Sequence, residues 1–141
     1  QAFGREEVDD NALLHINRIL RHAHRLRVEP EIAAIKAADW DACANPQTSD
    51  GSAALPYDPF VSHAFLKALE ESGSASAETG WLPQHLVLEN PKGGLLGCAP
   101  LYLKSHSYGE YVFDWNWADA YERAGGQYYP KLQVSVPLLP S

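Results

Sequence analysis

The sequence predicts an α+β fold, a small and mostly antiparallel sheet flanked by helices, and three patterns predict it. Two apolar stretches, residues 81–89 and 95–104, are separated by Asn90, Pro91, Lys92, Gly93 and Gly94, turn formers that mark a hairpin. Ala12, Ile16, Ile19, Ala23 and Leu26 recur at three- and four-residue spacing, one stripe of an amphipathic helix. Leu132, Val134 and Val136 alternate near the end of the chain, the period of a strand. With 141 residues, 45% of them hydrophobic, the chain has the size of one domain with a real core.

Taken in order, Asp9, Asp10 and Asn11 offer N-cap oxygens for a helix over residues 11–27. Its other faces carry Arg18, Arg21, Arg25, His15, His22 and His24, which suit a solvated face or a docking surface. His22 and His24 diverge on a helix and make a poor metal pair. Residues 28–35 read as a short strand that Pro30 confines to an edge. A brief helix over 37–44 follows, and 45–57, rich in turn formers, is a loop. Asp58-Pro59 or Ser62 starts the next helix, which turns Phe65, Leu66 and Leu69 inward and ends at Gly73. His63, in its first turn, is expected at the surface. In the return strand of the hairpin both faces are expected to be covered, and Pro100, unable to donate to a ladder, marks an edge or a bulge. A helix over 116–124 closes at Gly125-Gly126, and residues 128–138 form the last strand.

Charge and composition narrow the function classes. The net charge is -7, and residues 30–90 carry nine acids against Lys36 and Lys67. An acidic middle argues against DNA binding, because phosphate contacts need clustered Lys and Arg. The longest apolar run, residues 95–103, is about half of what a membrane span needs. Cys43 and Cys98, far apart and without a CxxC pair, read as two reduced thiols, with no metal site. The chain starts at Gln1 and has no Met, which fits a processed product or a fragment. The expected compartment is the cytoplasm, or an organelle interior if a transit peptide has been removed.

Residues 104–131 crowd aromatic, acidic and basic side chains at the end of a strand. A polar substrate pocket needs that density, since aromatic walls exclude water while carboxylates and His move protons. The same residues also suit a core of Trp and Tyr with Asp114 and Asp119 as cap or first-turn acids. His106 and Ser107 are neighbours in sequence and do not read as a base and nucleophile. The spacing of Asp114 and Asp119 does not separate a metal or acid/base pair from two solvated acids. Neither PKGGLLG, a hairpin turn, nor RAGGQ, which follows a helix, is a phosphate loop.

The strings SHAFLKALEESG (62–73), TGWLPQHLVLE (79–89) and GCAPLYLKSHSYGEYVFDWNWADAYERAGGQYYPKLQVSVP (97–137) carry a resemblance. Over residues 28–137 the chain resembles the N-terminal part of the FemAB-like family of acyltransferases, described as peptidoglycan biosynthesis or recognition proteins. The resemblance implies half of a GNAT-like fold over 28–141, with residues 1–27 as an N-terminal extension. Acyl-CoA or aminoacyl-tRNA would be the donor in a complete enzyme. Because family members continue into a longer second half, no cofactor is expected in this chain. Candidates for the acceptor pocket, by position in the family string, are His106, Tyr108, Glu110, Asp114, Asp119, Tyr121, Tyr129 and Lys131. Two functions are open: an accessory binding subunit whose helix and last strand dock on a protein partner, or the acceptor half of an N-acyltransferase. In the second, Glu110, Asp114 or His106 would be the general base.

Overall fold

The computed structural model describes residues 24–48, 51, 56–108, 110 and 113–137. Its elements are β1 (Arg25–Glu29), α1 (Ala37–Ala44), α2 (His63–Glu71), β2 (Trp81–Pro83), β3 (His85–Glu89), β4 (Leu95–Ala99), β5 (Leu101–Lys104), α3 (Trp115–Arg123) and β6 (Lys131–Val134), with short 3-10 turns at Ile32–Ala34 and Pro59–Val61. All strand pairs are antiparallel, in two three-stranded sheets of order β1-β3-β4 and β2-β5-β6. The chain is an α+β domain.

One kinked ribbon makes both sheets. The hairpin pairs β3 with β4 near its turn and β2 with β5 further down. Gln84 and Pro100 interrupt it between the two halves. Pro100 has no N–H to give to a ladder. Its carbonyl instead accepts from Ser135 N at 3.3 Å, and Gln84 N donates to Leu101 O at 2.8 Å. The ribbon therefore stays closed across the kink while its outer partner changes from β1 to β6.

Helix boundaries follow local chemistry. The Ser62 hydroxyl accepts from Phe65 N at the start of α2, and Gly73, at φ +75°, follows its end. The described residues of the 45–57 loop form no helix or strand, and Asn45 and Asp58 clamp its ends with bonds of 2.8 and 3.1 Å.

Four expectations change. The last strand, expected over 128–138, is confined to Lys131–Val134, since Pro130 has no N–H to give to the ladder. Most of the helix placed over 11–27 lies outside the described residues, but Arg25, Leu26 and Arg27 are strand. They pair with Glu89, Leu88 and Val87, and Arg27 ion-pairs with Glu29 and Glu89, so cross-strand pairing overrides the helical period. The strand over 28–35 stops at Glu29, because Pro30 ends it and a 3-10 turn follows. His63 is buried, its Nε2 2.9 and 3.0 Å from the carbonyls of Ile35 and Ile32, where it donates.

The larger core unites Ile32, Ile35, Trp40, Leu66 and Val87; a smaller one unites Ala75, Trp81 and Tyr102. Fully buried His85 joins them, its ring edge-on to Trp40 at 5.6 Å and to Tyr102 at 5.5 Å. Glu70 holds His85 Nε2 at 2.8 Å with one oxygen and Ile32 N at 2.9 Å with the other. Among the described residues no helix is long and apolar enough to cross a membrane.

Trp40 is fully buried and donates from Nε1 to Val61 O at 2.8 Å, whereas Trp117 is 74% exposed. Trp40→Ala is expected to destabilise the fold by about 3–5 kcal/mol. Trp117→Ala should stay within about 0.5 kcal/mol of the parent chain. Urea midpoints at unchanged m-value measure both.

Candidate functional site

The register of the second sheet creates the site. Trp81 pairs with Lys104 and Lys104 with Lys131, so a ring and two lysines lie side by side across three strands. Like charges in direct cross-strand register repel. The segment after β5 returns over this row and brings two carboxylates, Glu110 and Asp114, which match the two cations.

Lys104 is fully buried. Its Nζ lies 3.4 Å from the centre of the Trp81 ring, donates to Tyr108 O at 3.0 Å and is 3.8 Å from Glu110 Oε1. The Trp81 indole donates to the same carbonyl at 3.1 Å. Lys131 donates to Glu110 Oε2 at 2.9 Å and to Asp114 Oδ2. Asp114 also accepts from the hydroxyls of Tyr128 at 2.9 Å and Tyr129. It occupies the N-cap position of α3, yet its carboxylate caps no amide and is committed to the cluster. Ser107 is fully buried beside Asp114 and Tyr129, with no well-formed hydrogen bond to either.

Electrostatics sort these groups. Burial pushes the Lys104 ammonium down to about 8 and nearby Lys131 depresses it, while Glu110 opposes both. For Asp114, burial alone would raise the carboxyl, but hydrogen bonds from Lys131, Tyr129 and Tyr128 outweigh it and hold the group well below the usual carboxylate range. Burial alone would lower Lys131, but its bonds to Asp114 and Glu110 keep it above the ordinary lysine value. The His106 imidazole is lowered by burial, then by Lys104. Its Nδ1 accepts from Tyr108 N at 3.2 Å, which places the proton of the neutral ring on Nε2. Gly80, at φ +72°, lies so close beneath this ring that a Cβ there would collide with it.

Beside the cluster the rings of His106, Tyr108, Trp115 and Phe113 contact one another in sequence, at 4.8, 5.7 and 4.9 Å. Tyr108 and Trp115 also wall an open groove of ≈ 340 Å³, completed by Ala118, Asp119, Glu122 and Tyr129. The two acids stand one turn apart on α3, and among the described residues no basic side chain lines the groove.

The sequence-predicted residues thus divide. Glu110, Asp114, Tyr129 and Lys131 meet in the cluster; His106 and Tyr108 flank it; Asp119 reaches the groove. Tyr121 stands apart, half-exposed and packed on Tyr128 at 6.2 Å. The structure adds Lys104, Trp81, Tyr128 and Ser107. The hairpin register was the signal that could have placed Lys104 beside Trp81, since both strands are legible. Among the described residues no group of three or more His, Cys, Asp or Glu side chains could hold a metal ion.

Chemically, Asp114 is a poor proton acceptor, His106 has its basic nitrogen occupied, and Lys104 is sealed from solvent. The cluster braces; the groove is what a ligand can reach.

Two outcomes test the electrostatics. In 13C-lysine NMR one resonance should titrate near the value of about 8 assigned to Lys104; Lys131→Met should raise it and Glu110→Gln lower it further. Asp114→Asn should cost about 2–4 kcal/mol at neutral pH, because it strips charged bonds from a part-buried cation. Since the folded carboxyl is depressed, that difference is fully present above the unfolded value of about 4 and shrinks as pH falls below it. Urea unfolding of both chains across this range reads the effect.

No curated protein and no solved structure matches the chain. A protein-family model does match, over residues 31–141, and that span holds the hairpin, the lysine row, the carboxylates and the groove. The chain belongs to the FemAB-like family, described as peptidoglycan biosynthesis/recognition.

Proposed function

We propose that the chain is a non-catalytic binding module in a larger assembly for peptidoglycan biosynthesis or recognition, with its α3 groove receiving an amine-bearing group. The observation that carries this reading is the contrast between cluster and groove. Lys104, Lys131, Glu110 and Asp114 neutralise one another under cover, whereas Tyr108, Trp115, Asp119 and Glu122 remain open. Aromatic walls with two carboxylates suit a cation, through ring faces and charge together. In this reading residues 28–141 are the GNAT-like half and residues 1–27 an extension that docks on a partner.

The last strand supports a protein partner. β6 is an edge of its sheet, and its Leu132 and Val134 are each 64% exposed. An apolar edge of this kind invites coverage. Native mass from the source organism is the measurement. A complex well above 15.6 kDa is expected, and a monodisperse monomer sinks the accessory reading.

Ligand binding is tested by calorimetry with a lysine-containing peptidoglycan stem peptide and its side-chain N-acetylated form. The free amine should bind at least about tenfold more tightly, a difference of about 1.4 kcal/mol. Trp115→Ala should weaken that binding. Equal affinity for the two peptides, or none for either, overturns the groove assignment.

One observation favours a second reading, the acceptor half of an N-acyltransferase with Glu110 as base. Among the described residues Glu110 Oε1 is buried without a hydrogen-bond partner, with the Lys104 ammonium 3.8 Å away. Acyl-CoA or aminoacyl-tRNA would then be consumed once a second half is supplied. Glu110→Gln should reduce that turnover by about 10²–10⁴-fold. No consumption removes this reading and leaves the first standing.

A further inference from the structure

Cys43 and Cys98 are 55 positions apart in sequence, yet the fold brings their side chains together. Cys43 lies in the last turn of α1 and Cys98 in β4, and α1 packs directly on β4. Cys98 Sγ is 3.7 Å from the carbonyl of Trp40, one turn before Cys43 on the same helix. Both cysteines are partly buried and free, and Cys43 also lines a solvent-open hollow of ≈ 520 Å³ with Asp39, Ala42, Pro46, Gly94, Leu95 and Leu96. Cys98, by contrast, packs against the larger core.

We propose that Cys43 and Cys98 are a modification site, a thiol pair that closes to a reversible disulfide and ties α1 to β4. A hydroperoxide is the oxidant. The Cys43 sulfur, the one facing the hollow, attacks the peroxide, takes one oxygen to become a sulfenic acid and releases an alcohol, or water when the oxidant is hydrogen peroxide. The Cys98 sulfur then displaces that oxygen as water, and the S–S bond forms. Two thiol protons and two electrons have left the protein, and a dithiol reductant returns them. Burial raises both thiols, Cys98 to about 12, and the proximity of the pair lowers Cys43 and raises Cys98 further. The thiolate is the reacting form, so closure is slow at neutral pH and speeds up as pH rises. The proposal is independent of the groove and of any acyl-transfer chemistry.

The experiment treats the full folded chain with hydrogen peroxide and follows intact mass, free thiols and a non-reducing peptide map. The expected result is a mass lower by two hydrogens, loss of both titratable thiols, and one linked peptide pair containing Cys43 and Cys98. Closure should be faster at pH 8.5 than at pH 7, and tris(carboxyethyl)phosphine should reverse it. Cys43→Ser and Cys98→Ser should each abolish the loss of two hydrogens while circular dichroism stays native. If a variant fails to fold, the peptide map of the parent chain decides alone. The proposal is overturned if the thiols gain oxygen without cross-linking, if they pair only between chains, or if both persist at pH 8.5 through an exposure far longer than closes a small dithiol.

Discussion

Two lysines in direct register on adjacent strands are the constraint on which the working end of this molecule depends. Lys104 and Lys131 face each other across β5 and β6. Neither repulsion nor desolvation allows such a pair to stand alone beneath a loop. Glu110 and Asp114 answer it, and their positions dictate the rest. Tyr108 must bring its carbonyl to the Trp81 indole, and α3 must begin beside the cluster. Tyr128 and Tyr129 must approach Asp114 before β6 begins. The groove is a by-product of this closure, since α3 is held by its N-cap residue, Asp114, against the brace.

The kinked ribbon makes the brace possible. β1 flanks the ribbon on its β3 side and β6 on its β5 side, so the two halves of the ribbon carry their third strands on opposite edges. The break at Gln84 and Pro100 ends one sheet and starts the next while the ribbon remains bonded. His85 and Glu70 then stiffen the junction from inside, linking the first strand after the kink to α2 and to the backbone of Ile32. A buried polar tie of this kind is costly to break on one side only.

Much of this was legible in the sequence, and the reasons separate by range. The hairpin, α1, the Ser62 cap of α2 and the glycines after α2 and α3 are written in contiguous residues, so pattern and turn chemistry suffice. Arg25 to Arg27 look helical by period, and only their partners in β3 make them strand. His63 looks exposed by position, and only the carbonyls of Ile32 and Ile35 bury it. Candidates drawn from the family string included four members of the cluster but omitted Lys104, which reads as a strand residue until its neighbours across the sheet are known. Tyr121 entered by the same string and lies outside, because sequence proximity on α3 does not fix which face a residue occupies.

Tyr108 separates architecture from specificity within one residue. Its carbonyl receives both Lys104 and the Trp81 indole, whereas its side chain stands in the groove wall. The main chain at this position is therefore fixed by groups indifferent to what the residue is. Selection can exchange the ring at 108 for another side chain without dismantling the anchor beneath it. With the groove binding as proposed, a change of one wall would alter the ligand while the foundation stays unchanged.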